Sequence, residues 1–319
     1  MFALRGIAVS LAFFVLLYCL LSALVAVAWR SLKLLHTTEQ RLADLLFASR
    51  VFPLAASVGI TFVFVVPSFQ LLEPRSIEEG IGTIPLALGV CALMLIACGC
   101  FRVIATQTRT SRVVARWLEG AHPPNVDAAV ETIGQIVTFQ STREAPPLTL
   151  VGVRKPRVLV SVSTVTLLTH DELHIALKHE LAHRQSRDNL KKLVFRFCPF
   201  PGMAKLESAW SQAAEFAADD AAVSNLDDAV YLAAALVKLS RLVPVEAAPV
   251  CTVRFVTGSI GARVARLLVR NEAAVGEARQ LRMRPWYVIP TVLVAMLCVF
   301  ATYGPALALA HEMTEWLVR

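Results

Sequence analysis

Five consecutive residues, His179-Glu180-Leu181-Ala182-His183, carry the most specific chemistry in this chain. Residues four apart on a helix share a face, so both imidazoles can point at one metal ion. Glu180 follows the first histidine and is placed to act as a general base toward water. With 7 His and 16 Glu in 319 residues, this pattern is expected by chance about 0.008 times. The competing reading is a charged surface helix that matches by accident.

A zinc site that does chemistry takes three protein ligands and leaves one position open. Glu215-Phe216-Ala217-Ala218-Asp219 repeats the four-residue spacing with two carboxylates. Glu215 would complete a His₂Glu ligand set. Asp219 would accept a hydrogen bond from the far nitrogen of a ligand histidine and fix its tautomer. Taken alone, Glu215, Asp219 and Asp220 read as a solvated acidic patch. Asp188 either ties the active helix to its neighbour or caps the helix that follows. A developing oxyanion needs a donor; Arg263 and Tyr231 are candidates that their spacing does not single out. His170 and His174 read as surface residues, since positions 174 and 179 point about 140° apart on a helix. His122, beside two prolines, reads as a loop residue.

The elements around these residues can be drafted. Thr169-His170-Asp171-Glu172 fits a capping box that opens a helix running to about Gln185. Further helices are expected from Asn189 to Cys198, Met203 to Val223, Leu226 to Leu242 and Ile260 to Arg270. Upstream, Ser111 to Leu118 continues a long helix, and Val126 to Phe139 reads as an amphipathic helix. Leu148 to Val153 and Arg157 to Val162 flank Arg154-Lys155-Pro156 and read as a β-hairpin or two adjacent strands. The second of these strands could pair with an extended peptide or lie in a plain core.

The composition embeds this domain in a membrane. The chain is 56% hydrophobic and 17% charged, with a mean hydropathy of +0.60. Disordered chains, coiled coils and disulfide-stapled secreted scaffolds are excluded. Four stretches can span a bilayer, at about 7–29, 52–72, 83–105 and 286–310. Pro67, Pro290 and Pro305 fall inside spans, where neighbours must satisfy the freed carbonyls. Cys19, Cys91, Cys98, Cys100 and Cys298 also lie in spans. Cys198 and Cys251 read as small buried apolar residues rather than metal ligands. Arg30, Lys33, Arg41 and Arg50 lie between spans one and two, and 24 of the 31 Lys and Arg lie between Arg102 and Arg284. The positive-inside rule then places both termini outside and residues 102–285 in the cytoplasm. The net charge of +7 suits an anionic leaflet better than nucleic acid.

His179-Glu180-Leu181-Ala182-His183, Arg187-Asp188-Asn189 and Glu215-Phe216-Ala217-Ala218-Asp219 together resemble the BlaR/MecR-type integral membrane zinc metallopeptidases. Val158-Leu159-Val160-Ser161, Glu172-Leu173 and the layout of three spans, a zinc domain and a fourth span also fit. The HtpX and CAAX-prenyl-protease families share HExxH with a downstream Glu and Asp, but Asp188-Asn189 favours the BlaR/MecR type. One departure is large: nine residues, His311 to Arg319, stand where those receptors carry an extracellular penicillin-binding sensor.

The expected fold is therefore mainly α. Four transmembrane helices carry a cytoplasmic α+β gluzincin-type zinc metallopeptidase domain, with boundaries at 1–101, 102–285 and 286–319. The expected function is zinc-dependent endoproteolysis at the cytoplasmic face of the plasma (inner) membrane. One Zn²⁺ per chain is held by His179, His183 and Glu215, with Glu180 catalytic. Partners are membrane lipid and a protein or peptide substrate, with no direct nucleic-acid role. By resemblance the substrate is a cytoplasmic transcriptional repressor or the protease itself. The alternatives are a quality-control protease of the HtpX/CAAX kind and a non-catalytic zinc-binding receptor or scaffold.

Overall fold

The structure, a computed structural model, describes residues 2–34, 37–73, 82–119, 138–141, 146–154, 156–242, 252–254, 260–269 and 302–316. Helix α1 (Phe2–Ala28) leads through a 3₁₀ turn (Trp29–Leu34) to α2 (Glu39–Ile60). A π-helical turn (Thr61–Val65) joins α2 to α3 (Val66–Leu72), and α4 (Thr83–Leu118) follows. Three stretches, Phe2–Ser31, Glu39–Leu72 and Thr83–Trp117, are long and apolar enough to cross a membrane. Each contains one of the expected spans. Leu4, Leu20, Leu24, Met94 and Phe101 point outward, all more than half exposed, the pattern of helices solvated by hydrocarbon. Of the fourth expected span, 286–301 lies outside the described residues. Residues 302–316 form a helix, α11, so His311 to Trp316 continue a helix where a short tail was expected.

Proline and threonine chemistry shapes the second stretch. Thr38 caps α2 by accepting from the Arg41 amide. Pro67 has no N–H to offer the carbonyl of Val63, four residues back. The Tyr303 hydroxyl of α11 donates to that carbonyl at 3.3 Å, with the Phe64 and Tyr303 rings 5.7 Å apart. A neighbouring helix thus repairs the proline gap. Pro290 lies outside the described residues.

Helix α2 begins thirteen residues before the expected span, and this corrects the loop reading of Arg41 and Arg50. Arg50 is buried at 2% exposure. It donates to Glu207 at 3.0 Å and to the Cys198 carbonyl. A charge count along the chain takes such a cation for a loop residue because it cannot see the partner.

The remaining described elements form an α+β unit. Strands β1 (Thr138–Ser141), β2 (Leu148–Val151), β3 (Arg157–Ser161) and β4 (Thr252–Arg254) make one sheet in the order β1-β3-β2-β4. The expected hairpin is present: β2 and β3 run antiparallel, with Leu148 opposite Val160. Two expectations change. Val126 to Val137 lies outside the described residues, but Thr138 and Phe139 are in β1, parallel to β3, rather than at the end of a helix. The central place of β3, between β1 and β2, engages both its edges, so β3 takes no added peptide strand. Strand β4 and helix α5 (Val162–Leu167) were not expected; Ser161 caps α5 by accepting from the Thr164 amide.

Helices α6 (His170–Gln185), α7 (Asp188–Phe197), α8 (Ala204–Ala222), α9 (Leu226–Ser240) and α10 (Ile260–Leu268) follow the expected order within two residues at each end. Two cores hold them. One joins sheet residues Leu148, Leu150, Val158 and Val160 to Ile175, Leu232, Leu236 and Leu267. The other joins Ala43 and Leu46 of α2 to Phe195, Met203, Leu206 and Trp210. Gly99 on α4 lets the end of α7 come close, since a Cβ there would lie 2.5 Å from the Phe197 carbonyl oxygen. Cys19, Cys91, Cys98, Cys100 and Cys198 are free thiols, and Cys198 is buried. Cys251 and Cys298 lie outside the described residues.

Candidate metal centre

Helix α6 places the histidines. Its start is fixed by the full capping box: the Thr169 amide donates to Glu172 at 2.8 Å, and the Glu172 amide donates to the Thr169 hydroxyl at 3.3 Å. Lys238 of α9 adds a 2.7 Å contact to the Glu172 carboxylate. Two turns on, His179 and Glu180 are wholly buried and His183 is 1% exposed. The two Nε2 atoms lie 3.0 Å apart.

Glu215 on α8 meets them. Its carboxylate oxygens stand 3.6 Å from His179 Nε2 and 3.7 Å from His183 Nε2. One donor atom from each of the three residues falls within 4.8 Å of the others. The outer nitrogens are held by carboxylates. Asp188 Oδ2 lies 2.6 Å from His183 Nδ1, and Asp219 Oδ1 lies 2.9 Å from His179 Nδ1. Each carboxylate can accept a hydrogen bond from Nδ1, which leaves the two Nε2 atoms as the ones that face Glu215.

Asp188 reaches His183 through a strained turn. Arg187 has φ of +54°, a left-handed conformation that costs a non-glycine residue about 1–2 kcal/mol. This turn joins α6 to α7 within two residues. Arg187 holds the N-cap position and Asp188 the first turn of α7, so of its two readings Asp188 takes the tie to the active helix. Asn189 anchors the same turn by donating to the Leu150 and Gly152 carbonyls at 3.1 and 2.9 Å.

Arg263 of α10 lies inside the cluster, 2% exposed. Its Nε and one terminal nitrogen donate to the two Asp219 oxygens at 2.8 and 2.5 Å, and the other terminal nitrogen donates to Glu215 at 2.9 Å. It grips both acids of α8 and lies 3.4 Å from His179 Nε2. Its signal in the sequence is positional: Ile260, Arg263, Val264 and Leu267 form one helical stripe, and a cation in an apolar stripe needs a buried carboxylate. Tyr231 on α9 is 37% exposed, and no described contact joins it to the cluster. His170 and His174 stack on each other at the start of α6, outside the ligand group. His122 lies outside the described residues.

Buried charge here has close partners. Glu180, Asp188, Glu215 and Asp219 are all buried; Arg263 pairs with Glu215 and Asp219, and Asp188 lies against His183 and 3.9 Å from Lys191, as buried carboxylates require. Burial raises the Glu180 carboxyl to about 7, against the pull of the two histidines. Neither Glu180 oxygen has a hydrogen-bond partner. Burial disfavours a charged His183, but the Glu215 and Asp188 carboxylates outweigh it and hold the imidazole up at about 10. Burial likewise works against ionised Glu215, yet His183, His179 and Arg263 keep its carboxyl well below the usual range. Protons and Arg263 thus supply positive charge that this donor set would otherwise take from a divalent ion. Two imidazoles and a carboxylate, His179, His183 and Glu215, thus form a group that could hold a metal ion.

No protein-family model matches the chain, and no curated protein matches it either.

Proposed function

We propose that the chain is a membrane-embedded zinc endopeptidase that hydrolyses peptide bonds of a protein substrate beside the membrane. One observation carries the reading: inward-facing His179, His183 and Glu215 converge beside a Glu180 carboxylate that is fully buried and has no partner. A purely structural metal site has no use for such a base. A zinc ion held by His179, His183 and Glu215 would polarise the scissile carbonyl and acidify the attacking water.

The chain's own residues do the rest. Glu180 accepts the proton of the attacking water and returns it to the leaving nitrogen. Asp188 and Asp219 hold the imidazole tautomers, and Arg263 holds Glu215 and Asp219 in register. Three membrane-length helices on the same chain keep the site next to the bilayer. On the positive-inside argument that side is the cytoplasm, and the substrate class we favour is a cytoplasmic regulatory protein such as a transcriptional repressor, or the chain itself.

The test uses the full-length protein with unfolded casein as probe substrate. Wild type should bind one zinc and cleave casein, and a chelator should stop it. Glu180→Gln should keep its zinc and lose cleavage by about 100-fold or more. Cleavage by Glu180→Gln within a few-fold of wild type would exclude the general-base role and with it this reading.

A further inference from the structure

A cavity of about 630 Å³ that shares no lining residue with the metal-binding cluster lies between α1, the α2–π–α3 stretch and α4. That volume is in the range of ligand sites, about 300–1,000 Å³. On α1 it is lined from Phe2 to Tyr18, sixteen residues or about 24 Å of helix, about the length of an extended oleoyl chain. Its walls are apolar, with Ile7, Leu11, Phe14, Leu54, Val58 and Phe62 among them. All three helices that enclose it are long and apolar enough to cross a membrane. Where they do so, the surrounding solvent is lipid tails, and an apolar slot of this length is open to them.

The wall carries a second signal. The π-helical turn, Thr61–Val65, falls on the cavity, and such turns concentrate at functional sites.

We infer that this cavity binds one acyl chain of a membrane phospholipid. The inference rests on the membrane reading of the three helices and is independent of the zinc chemistry. The inner end of the cavity is closed by Phe197 and Cys198, at the junction of α7 and α8. The Tyr18 hydroxyl donates to the Pro199 carbonyl there at 3.0 Å. An acyl chain in the slot therefore touches the connection between the helix bearing Asp188 and the helix bearing Glu215.

The experiment takes the full-length protein in detergent micelles with a trace of phosphatidylcholine carrying a mid-tail diazirine. After irradiation, adducts are mapped by peptide mass spectrometry. They should concentrate on cavity residues 7–14 and 54–62, about tenfold above those at Met94 and Phe101 on the outer surface. Ser10→Phe and Val58→Trp fill the slot and displace methylenes, so each should cut the cavity adducts about tenfold. Unchanged outer labelling in these variants reports an intact bundle. Three results would each overturn the inference. One is equal labelling inside and out, and another is indifference to both filling variants. The third is capture of residues 286–301 of the same chain by a photoreactive side chain at position 62.

Discussion

At the scale of single residues, the cluster works by directing lone pairs. An imidazole offers either nitrogen, and only an outer hydrogen bond decides which one faces the ion. Asp188 does this for His183 at 2.6 Å and Asp219 for His179 at 2.9 Å. Asp188→Asn keeps the size of the side chain but loses the charge that raises the basicity of the ligand. Zinc affinity should fall about 10–100-fold, read by competition with a chromophoric chelator. Affinity within twofold of wild type would mean that Asp188 matters only to the turn. The residues that the helical period places together were legible in the sequence: His179 with His183, and Glu215 with Asp219. The role of Arg263 was not, because its partners sit 44 and 48 positions away and no local spacing encodes them. Asp188 had two readings for a related reason: the left-handed Arg187 that decides between them has no glycine to announce it.

At the scale of elements, α6 is fixed at its start as firmly as at its site. Glu172 accepts from the Thr169 amide and from Lys238 while burial opposes its charge, and the hydrogen bonds win, so its carboxyl titrates below the usual 4.5. A carboxyl lowered in the folded state adds stability above its unfolded value. That contribution is lost as pH falls from about 4.5 through the folded value. Lys238 is one-third exposed, so solvent screens part of the ion pair. Glu172→Gln should cost about 1–2 kcal/mol at neutral pH. Its denaturation midpoint should also depend less on pH below about 4.5 than that of wild type. Equal acid sensitivity in both proteins would place the titrating group elsewhere. The capping box was legible because its four residues are contiguous. Strand β1 was not, because Thr138 and Phe139 become strand only by pairing with Val158 and Leu159, twenty residues on.

At the scale of the whole molecule, the sequence divides more cleanly than the structure does. Hydropathy separates apolar spans from a polar domain at about residue 102, yet the second core crosses that boundary. Ala43 and Leu46 of α2 pack with the N-cap Met203 and with Leu206 and Trp210 of α8, the helix that carries Glu215 and Asp219. Arg266 binds Asp220 of α8 at 2.7 Å and reaches Glu39 of α2 at 4.0 Å. A fragment of residues 102–285 would leave Met203, Leu206 and Trp210, each at most 2% exposed in the full chain, uncovered. Re-exposing each costs about 1.5–3 kcal/mol, and together this rivals the about 5–15 kcal/mol that holds a domain folded. The fragment should therefore aggregate or lose the proposed binding of zinc. With Trp117 replaced by Phe, its Trp210 emission should shift to the red of the full-length protein carrying Trp210 alone. Adding a helical peptide of residues 37–60 in micelles should restore part of the blue shift. A monomeric, zinc-loaded fragment with blue emission would show that α8 holds its ligands without the membrane helix. The sequence-based boundary at 102 would then be the physical one.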